Sequence, residues 1–179
     1  MKLYLLTHER ELNKVSNTGR LVKKCLGNLV EVIIWKRTEP DLNLVELMNK
    51  SEVAMLYPDR PSQYRKNSEE LDEEPKVLED TTLNNKLCGT KVGVESFESF
   101  LILDSTWQEA RKMYNRSTYL QQVKKISLQA TTPSTYRKRR NQIDGGLSTA
   151  ECVIELLKQK NEPSLATILQ EQFDQFNLE

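Results

Sequence analysis

Apolar residues along this chain fall in short unbroken runs, with stretches of helical period between them. Five runs predict strands: Lys2–Thr7, Leu29–Trp35, Val53–Tyr57, Ser99–Leu103 and Val123–Leu128. Mostly apolar runs without alternation suit strands buried on both faces of a parallel sheet. Five further segments predict helices: Thr18–Leu26 with Gly27 as its stop, Leu42–Lys50, Thr106–Tyr114, Thr149–Lys160, and a last one from Pro163 to about Phe176. Thr106-x-x-Glu109 and Ser148-x-x-Glu151 read as capping boxes, and Pro163 suits a first helical position. The pattern predicts an α/β fold, a mostly parallel sheet flanked by helices, in one domain over residues 1–179. Residues 59–98 predict a long polar connection.

Composition adds limits. No apolar run approaches the roughly 20 residues of a membrane helix, and the first strand is too short for the core of a signal peptide. A cytoplasmic, soluble protein is expected. Cys25, Cys88 and Cys152 are far apart and odd in number, and His8 is the only histidine. No disulfide framework and no metal site are expected. Net charge is zero but uneven: residues 69–80 hold seven acids against one lysine, leaving the rest of the chain basic. That acidic stretch reads as a solvated loop.

In open α/β sheets, ligands sit beyond the carboxyl ends of the strands. Polar clusters fall at those ends. Asp104-Ser105-Thr106-Trp107 follows an apolar strand directly. A carboxylate at a strand's mouth, partly out of water, suits a general base; the plainer alternative is that Asp104 caps the next helix and Trp107 is core. His8 follows the first strand and offers an acid, a base or a hydrogen-bond donor. Lys14, Asn17, Thr18, Gly19 and Arg20 surround the next helix start, where Asn17 or Thr18 is a cap and Gly19 permits close approach of a ligand. Tyr136 precedes four consecutive cations, Arg137 to Arg140, a mixture that suits phosphate contact with base stacking. No dinucleotide or NTP-binding glycine pattern is present.

In order, these pieces resemble the DTW-domain family, the tRNA-uridine aminocarboxypropyltransferases. The matching blocks are His8-x-x-Glu11, Asn17-Thr18-Gly19-Arg20-Leu21, Leu56-Tyr57-Pro58, Asp104-x-Thr106-Trp107 and Leu147-Ser148-Thr149-x-Glu151. The resemblance implies a SPOUT-like fold with a C-terminal trefoil knot that holds S-adenosylmethionine. It implies transfer of the 3-amino-3-carboxypropyl group of S-adenosylmethionine to N3 of a uridine in tRNA, with release of methylthioadenosine.

By the same resemblance, Asp104 is the candidate base, with binding of the donor's ammonium as its rival role. Leu56, Tyr57, Pro58, Thr106, Trp107, Leu147, Ser148 and Thr149 line the cofactor site. Arg20, Arg139 and Lys14 contact RNA phosphates, and His8, Asn17 and Thr18 are further candidates. The chain departs from the family in two respects. It begins almost at the first strand, without the cysteine-rich zinc segment of many members, and it has serine at 105 where glycine is usual. Two other readings fit the residues: a methyltransferase of the same architecture, and a noncatalytic RNA-binding protein. A ribosomal RNA target, and a monomer or a homodimer, stay open.

Overall fold

The computed structural model describes residues 1–57, 93–128, 133–138 and 146–178. Five strands form one sheet: β1 (Lys2–Thr7), β2 (Val30–Ile34), β3 (Val53–Leu56), β4 (Ser99–Asp104) and β5 (Lys125–Ile126). Their order is β2-β1-β4-β3-β5 and every pairing is parallel. The helices are α1 (Thr18–Leu26), α2 (Leu42–Asn49), α3 (Trp107–Arg116), the short α4 (Thr118–Gln121), α5 (Thr149–Gln159) and α6 (Pro163–Leu178). The expected α/β class and parallel sheet are therefore found.

The unbroken apolar runs have their explanation in two separate cores. Leu3 and Leu5 of β1, Phe100 and Ile102 of β4 and Ala54 of β3 pack against α1, α5 and α6, including Val22, Leu156 and Phe173. On the other face, Leu6, Leu101, Val53 and Met55 pack against Leu44 of α2, Met113 of α3 and Leu120 of α4. Successive strand residues point to opposite faces, so a strand covered twice is apolar throughout. Each fully buried aliphatic side chain contributes about 1.5–3 kcal/mol.

The edges depart from expectation. Leu29 ends a 3-10 turn, Gly27–Leu29, rather than opening β2, and β5 shrinks from six predicted residues to two. Both are edge strands, paired on one side only, so fewer hydrogen bonds hold their ends.

The topology fixes where a ligand can bind. After β1 the chain passes through α1 on one face to β2; after β4 it passes through α3 on the opposite face towards β5. β1 and β4 are neighbours, so their carboxyl ends open at a topological switch point. The last pair in that register is Thr7 with Asp104. Among the described residues, no helix is long and apolar enough to cross a membrane.

Candidate active site

Asp104 is the last residue of β4 and is only 2% exposed. Its alternation places the side chain on the face of Phe100 and Ile102, towards α1 and α5. Three elements donate to it. The Thr7 hydroxyl and the Asn17 amide donate to Oδ2, each at 3.1 Å, and the Thr149 hydroxyl donates to Oδ1 at 2.8 Å. A carboxylate has about four acceptor positions, and donors among the described residues take three of them. The neighbouring backbone is fixed as well, since the His8 N–H donates to the Asp104 carbonyl at 3.3 Å.

Gly19 is required by this packing. A Cβ built there would fall within 2.7 Å of the Asp104 Cγ and both its carboxylate oxygens. Glycine therefore lets the first turn of α1 lie against the carboxylate, at the helix end that favours negative charge. Asn17 serves both neighbours at once. Its Oδ1 caps α1 by accepting from the Gly19 and Arg20 N–H groups at 2.6 and 3.3 Å, while its Nδ2 also donates to the Glu11 carbonyl at 2.9 Å. The adjacent Thr18 is fully buried, and its hydroxyl accepts from the Ala150 N–H at the start of α5. The beginnings of α1 and α5 are thus tied together around Asp104.

The helix-cap alternative for Asp104 is decided by Thr106. Thr106 is the N-cap of α3; its hydroxyl accepts from the Glu109 N–H at 3.3 Å and donates to the Glu109 carboxylate at 3.1 Å. Trp107 opens that helix and is half-buried. The Ser105 hydroxyl, 5% exposed, donates to the Thr106 carbonyl at 3.1 Å.

Ser148 caps α5 with a full capping box. Its partner Glu151 accepts from the Ser148 N–H at 2.7 Å, from the Ser134 hydroxyl and from the Thr135 N–H at 2.7 Å. Glu151 thereby pins residues 133–138 to the start of α5. Leu147 is half-buried beside it.

The parallel sheet brings Leu56 and Tyr57 to the same end as Asp104. Leu56 packs against the α1–α5–α6 core, and Tyr57 faces the other way, its ring 4.8 Å from that of Tyr114. The Lys125 ammonium lies over both rings, at 5.3 and 4.4 Å. Burial, with Tyr114 beside it, pushes the Tyr57 phenol above its ordinary value, against Arg111.

The other predicted residues are placed as follows. His8 accepts from the Arg10 N–H through Nδ1 at 3.2 Å and stacks on Trp35. Lys14 pairs with buried Glu11 at 2.5 Å, which balances its charge; Arg20 is exposed on α1. Tyr136 corrects the sequence reading. It is 5% exposed, with its ring against Phe173 and its hydroxyl donated to the Ser16 carbonyl, so it is not a stacking platform for a base. Lys138 of the same run lies over the Phe176 ring at 4.0 Å. Pro58, Arg139 and the acidic segment 69–80 lie outside the described residues.

One feature escaped sequence reasoning. A cavity of about 270 Å³ opens beside Asp104, lined by Thr7, Leu12, Asn17, Gly19, Arg20 and Val32, with Lys23 and Lys24 completing it. The signal was Val32, an apolar residue on an edge strand and 39% exposed.

A protein named tRNA-uridine aminocarboxypropyltransferase 2, from Macaca fascicularis, is 27% identical over 153 residues. That alignment takes in 84% of this chain but 44% of the relative, so the chain spans less than half the length of that protein. No solved structure matches the chain significantly. The DTW domain matches residues 1–178, essentially all of the sequence, and the chain belongs to the DTW domain family.

Proposed function

We propose that the chain transfers the 3-amino-3-carboxypropyl group of S-adenosylmethionine to N3 of a uridine in tRNA. The observation that carries this reading is Asp104: a buried carboxylate at the switch point, fixed by three donors of the described residues and lining a cavity. Family membership and the name of the relative support the same chemistry.

The residues fit the donor. Tyr57 offers a half-buried aromatic face, and Leu56 and Leu147 offer half-buried apolar surface. In this reading Leu56, Tyr57 and Pro58 hold the donor from one side and Leu147, Ser148 and Thr149 from the other, with Thr106 and Trp107 near the reacting arm. When bound, S-adenosylmethionine supplies a sulfonium-activated methylene: a carbon–N3 bond forms, the carbon–sulfur bond breaks, and its electron pair leaves with methylthioadenosine.

The chain must supply alignment and a place for the N3 proton. Asp104 accepts that proton and later returns it to solvent. Thr7, Asn17 and Thr149 hold the carboxylate in one orientation, as proton transfer from N3 requires. This reading carries with it the SPOUT-like architecture and its C-terminal knot; residues 129–132 and 139–145, before α5, lie outside the described set.

Mass spectrometry of nucleosides from tRNA incubated with the protein and S-adenosylmethionine tests the proposal. An aminocarboxypropyl adduct on uridine is the expected product. A methyl adduct would replace this reading with a methyltransferase. Failure to bind the donor at all would leave an RNA-binding protein.

A further inference from the structure

The cavity beside Asp104 lies on the opposite side of β4 from Leu56 and Tyr57, two of the residues assigned to the donor. Leu56 and Tyr57 end β3 or follow it, whereas the cavity is framed by β1, β2 and α1, and β3 and β1 flank β4 on its two sides. Asp104 stands between them. A transfer reaction needs two such places, one for each reactant, with the proton acceptor reachable from the acceptor's side.

The chemistry of the cavity suits one kind of occupant. Leu12 and Val32 give apolar walls, and at about 270 Å³ it is near the lower end of the range for small-molecule pockets, matching one nucleoside rather than a larger cofactor. Thr7 and Asn17 lie at its polar side with Asp104. Gly19 adds no side chain there, which lets the first turn of α1 lie against the carboxylate at the wall of the cavity.

Three cations of α1 stand at the cavity. The Lys23 ammonium is engaged with the carbonyls of Gly27 and Val30, at 3.0 and 2.6 Å. Arg20 and Lys24 are exposed. Val32 and Ile34, 39% and 49% exposed, continue apolar surface along the edge strand on the face of Thr7. An apolar slot with a buried acceptor at one end and cations along its rim matches an unpaired nucleotide, whose base is flat and whose phosphates are charged.

We infer that this cavity seats the acceptor uridine, its base against Leu12 and Val32, its N3–H edge towards Asp104, and its flanking phosphates on Arg20 and Lys24. The inference rests on the transferase reading and adds where the acceptor enters. It also gives Arg20 a defined partner and passes over Lys14.

Filling the slot is the test. Val32→Trp places an indole in the cavity from an exposed edge position. It should leave S-adenosylmethionine binding within about twofold while lowering kcat/KM for tRNA at least tenfold. Replacing Arg20 and Lys24 by Ala should weaken tRNA binding and reduce its logarithmic salt slope by about 1.5. Loss of donor binding in Val32→Trp would overturn the inference by making the cavity a donor subsite. Unchanged transfer would overturn it as well.

A second measurement needs no variant. Irradiation of the wild-type protein with tRNA carrying 4-thiouridine at the modified position should crosslink to the cavity lining, at Thr7, Asp104 or within residues 12–32, and a crosslink confined elsewhere would sink the assignment. If the wild-type protein makes no adduct on any tRNA, the transferase reading fails first, and that outcome is seen before any variant is compared.

Discussion

Asp104 and Glu151 are two buried carboxylates with nearly the same coordination and different surroundings. Each accepts from three residues, and they are 2% and 8% exposed. The donors to Glu151 include two backbone N–H groups and lie within α5's first turn and the adjoining segment 133–138. Those to Asp104 are side chains from β1, the α1 cap and α5, and Asp104 lines the cavity. Glu151 thus closes a local motif. Asp104 joins elements that are distant in sequence and keeps one side towards a space a ligand can enter. Burial and hydrogen bonding alone do not separate a structural carboxylate from a reactive one; the neighbouring space does.

The sharpest way to break that contrast is Asp104→Asn. It keeps the shape but replaces one acceptor oxygen with an amide that faces hydroxyl or amide donors. Transfer should fall by 10²-fold or more. Stability should fall by about 1–3 kcal/mol, the cost of unsatisfied buried partners. Single-turnover transfer, donor binding and thermal melting together settle the role. Normal donor binding with lost transfer fits the proton acceptor, whereas lost donor binding assigns Asp104 to the ammonium group.

Gly19→Ala asks the same question without touching the charge. The added methyl group meets the Asp104 carboxylate, so either the carboxylate or α1 must move. Overpacking of this kind costs about 1–3 kcal/mol. Transfer should drop at least tenfold, because the aspartate is present but displaced. Wild-type turnover in Gly19→Ala would mean that the position of the carboxylate is not what catalysis requires.

How far the sequence went follows the same division. β1 and α1 match their predicted bounds, since β1 is central and buried on both faces and α1 has a polar cap and a glycine stop. The capping box of Ser148 and Glu151 was readable because it is local. What Asp104 binds was not readable, since Thr7, Asn17 and Thr149 lie 97, 87 and 45 residues away in the chain. Tyr136 was misread for a related reason. Its segment has no periodic pattern, and only docking against α6 shows that the ring faces inward. The cavity depends on the exposed edge of β2, and a sequence does not say which strand is an edge.

Glu151→Gln tests the structural half of the contrast. The capping box and the bonds to Ser134 and Thr135 lose their charged acceptor. A loss of about 1–2 kcal/mol is expected from denaturant unfolding. Transfer at a temperature well below melting should stay within about fivefold of wild type. A catalytic collapse without loss of stability would place Glu151 in the reaction and erase the distinction.

A third carboxylate, Glu109, gives the smallest effect and a pH signature. Burial pushes its carboxyl up, but the hydrogen bond from the Thr106 hydroxyl and the nearby charges of His8 and Lys14 outweigh this and hold it below its ordinary value. A group whose folded value is depressed adds stability above its unfolded value and loses it as pH falls through the folded one. Wild-type stability should therefore decline on acidification below about pH 4.5, where the unfolded carboxyl begins to take up protons first. Glu109→Gln should remove part of that acid slope. Because the group is only half-buried and solvent screens it, the variant should melt only about 1–2 °C lower at pH 7, and the difference should vanish at low pH. An unchanged acid limb would mean that the contacts holding Glu109 contribute nothing to folding. The first turn of α3 would then be held by the Thr106 cap alone, and its carboxylate would be neither like Glu151 nor like Asp104.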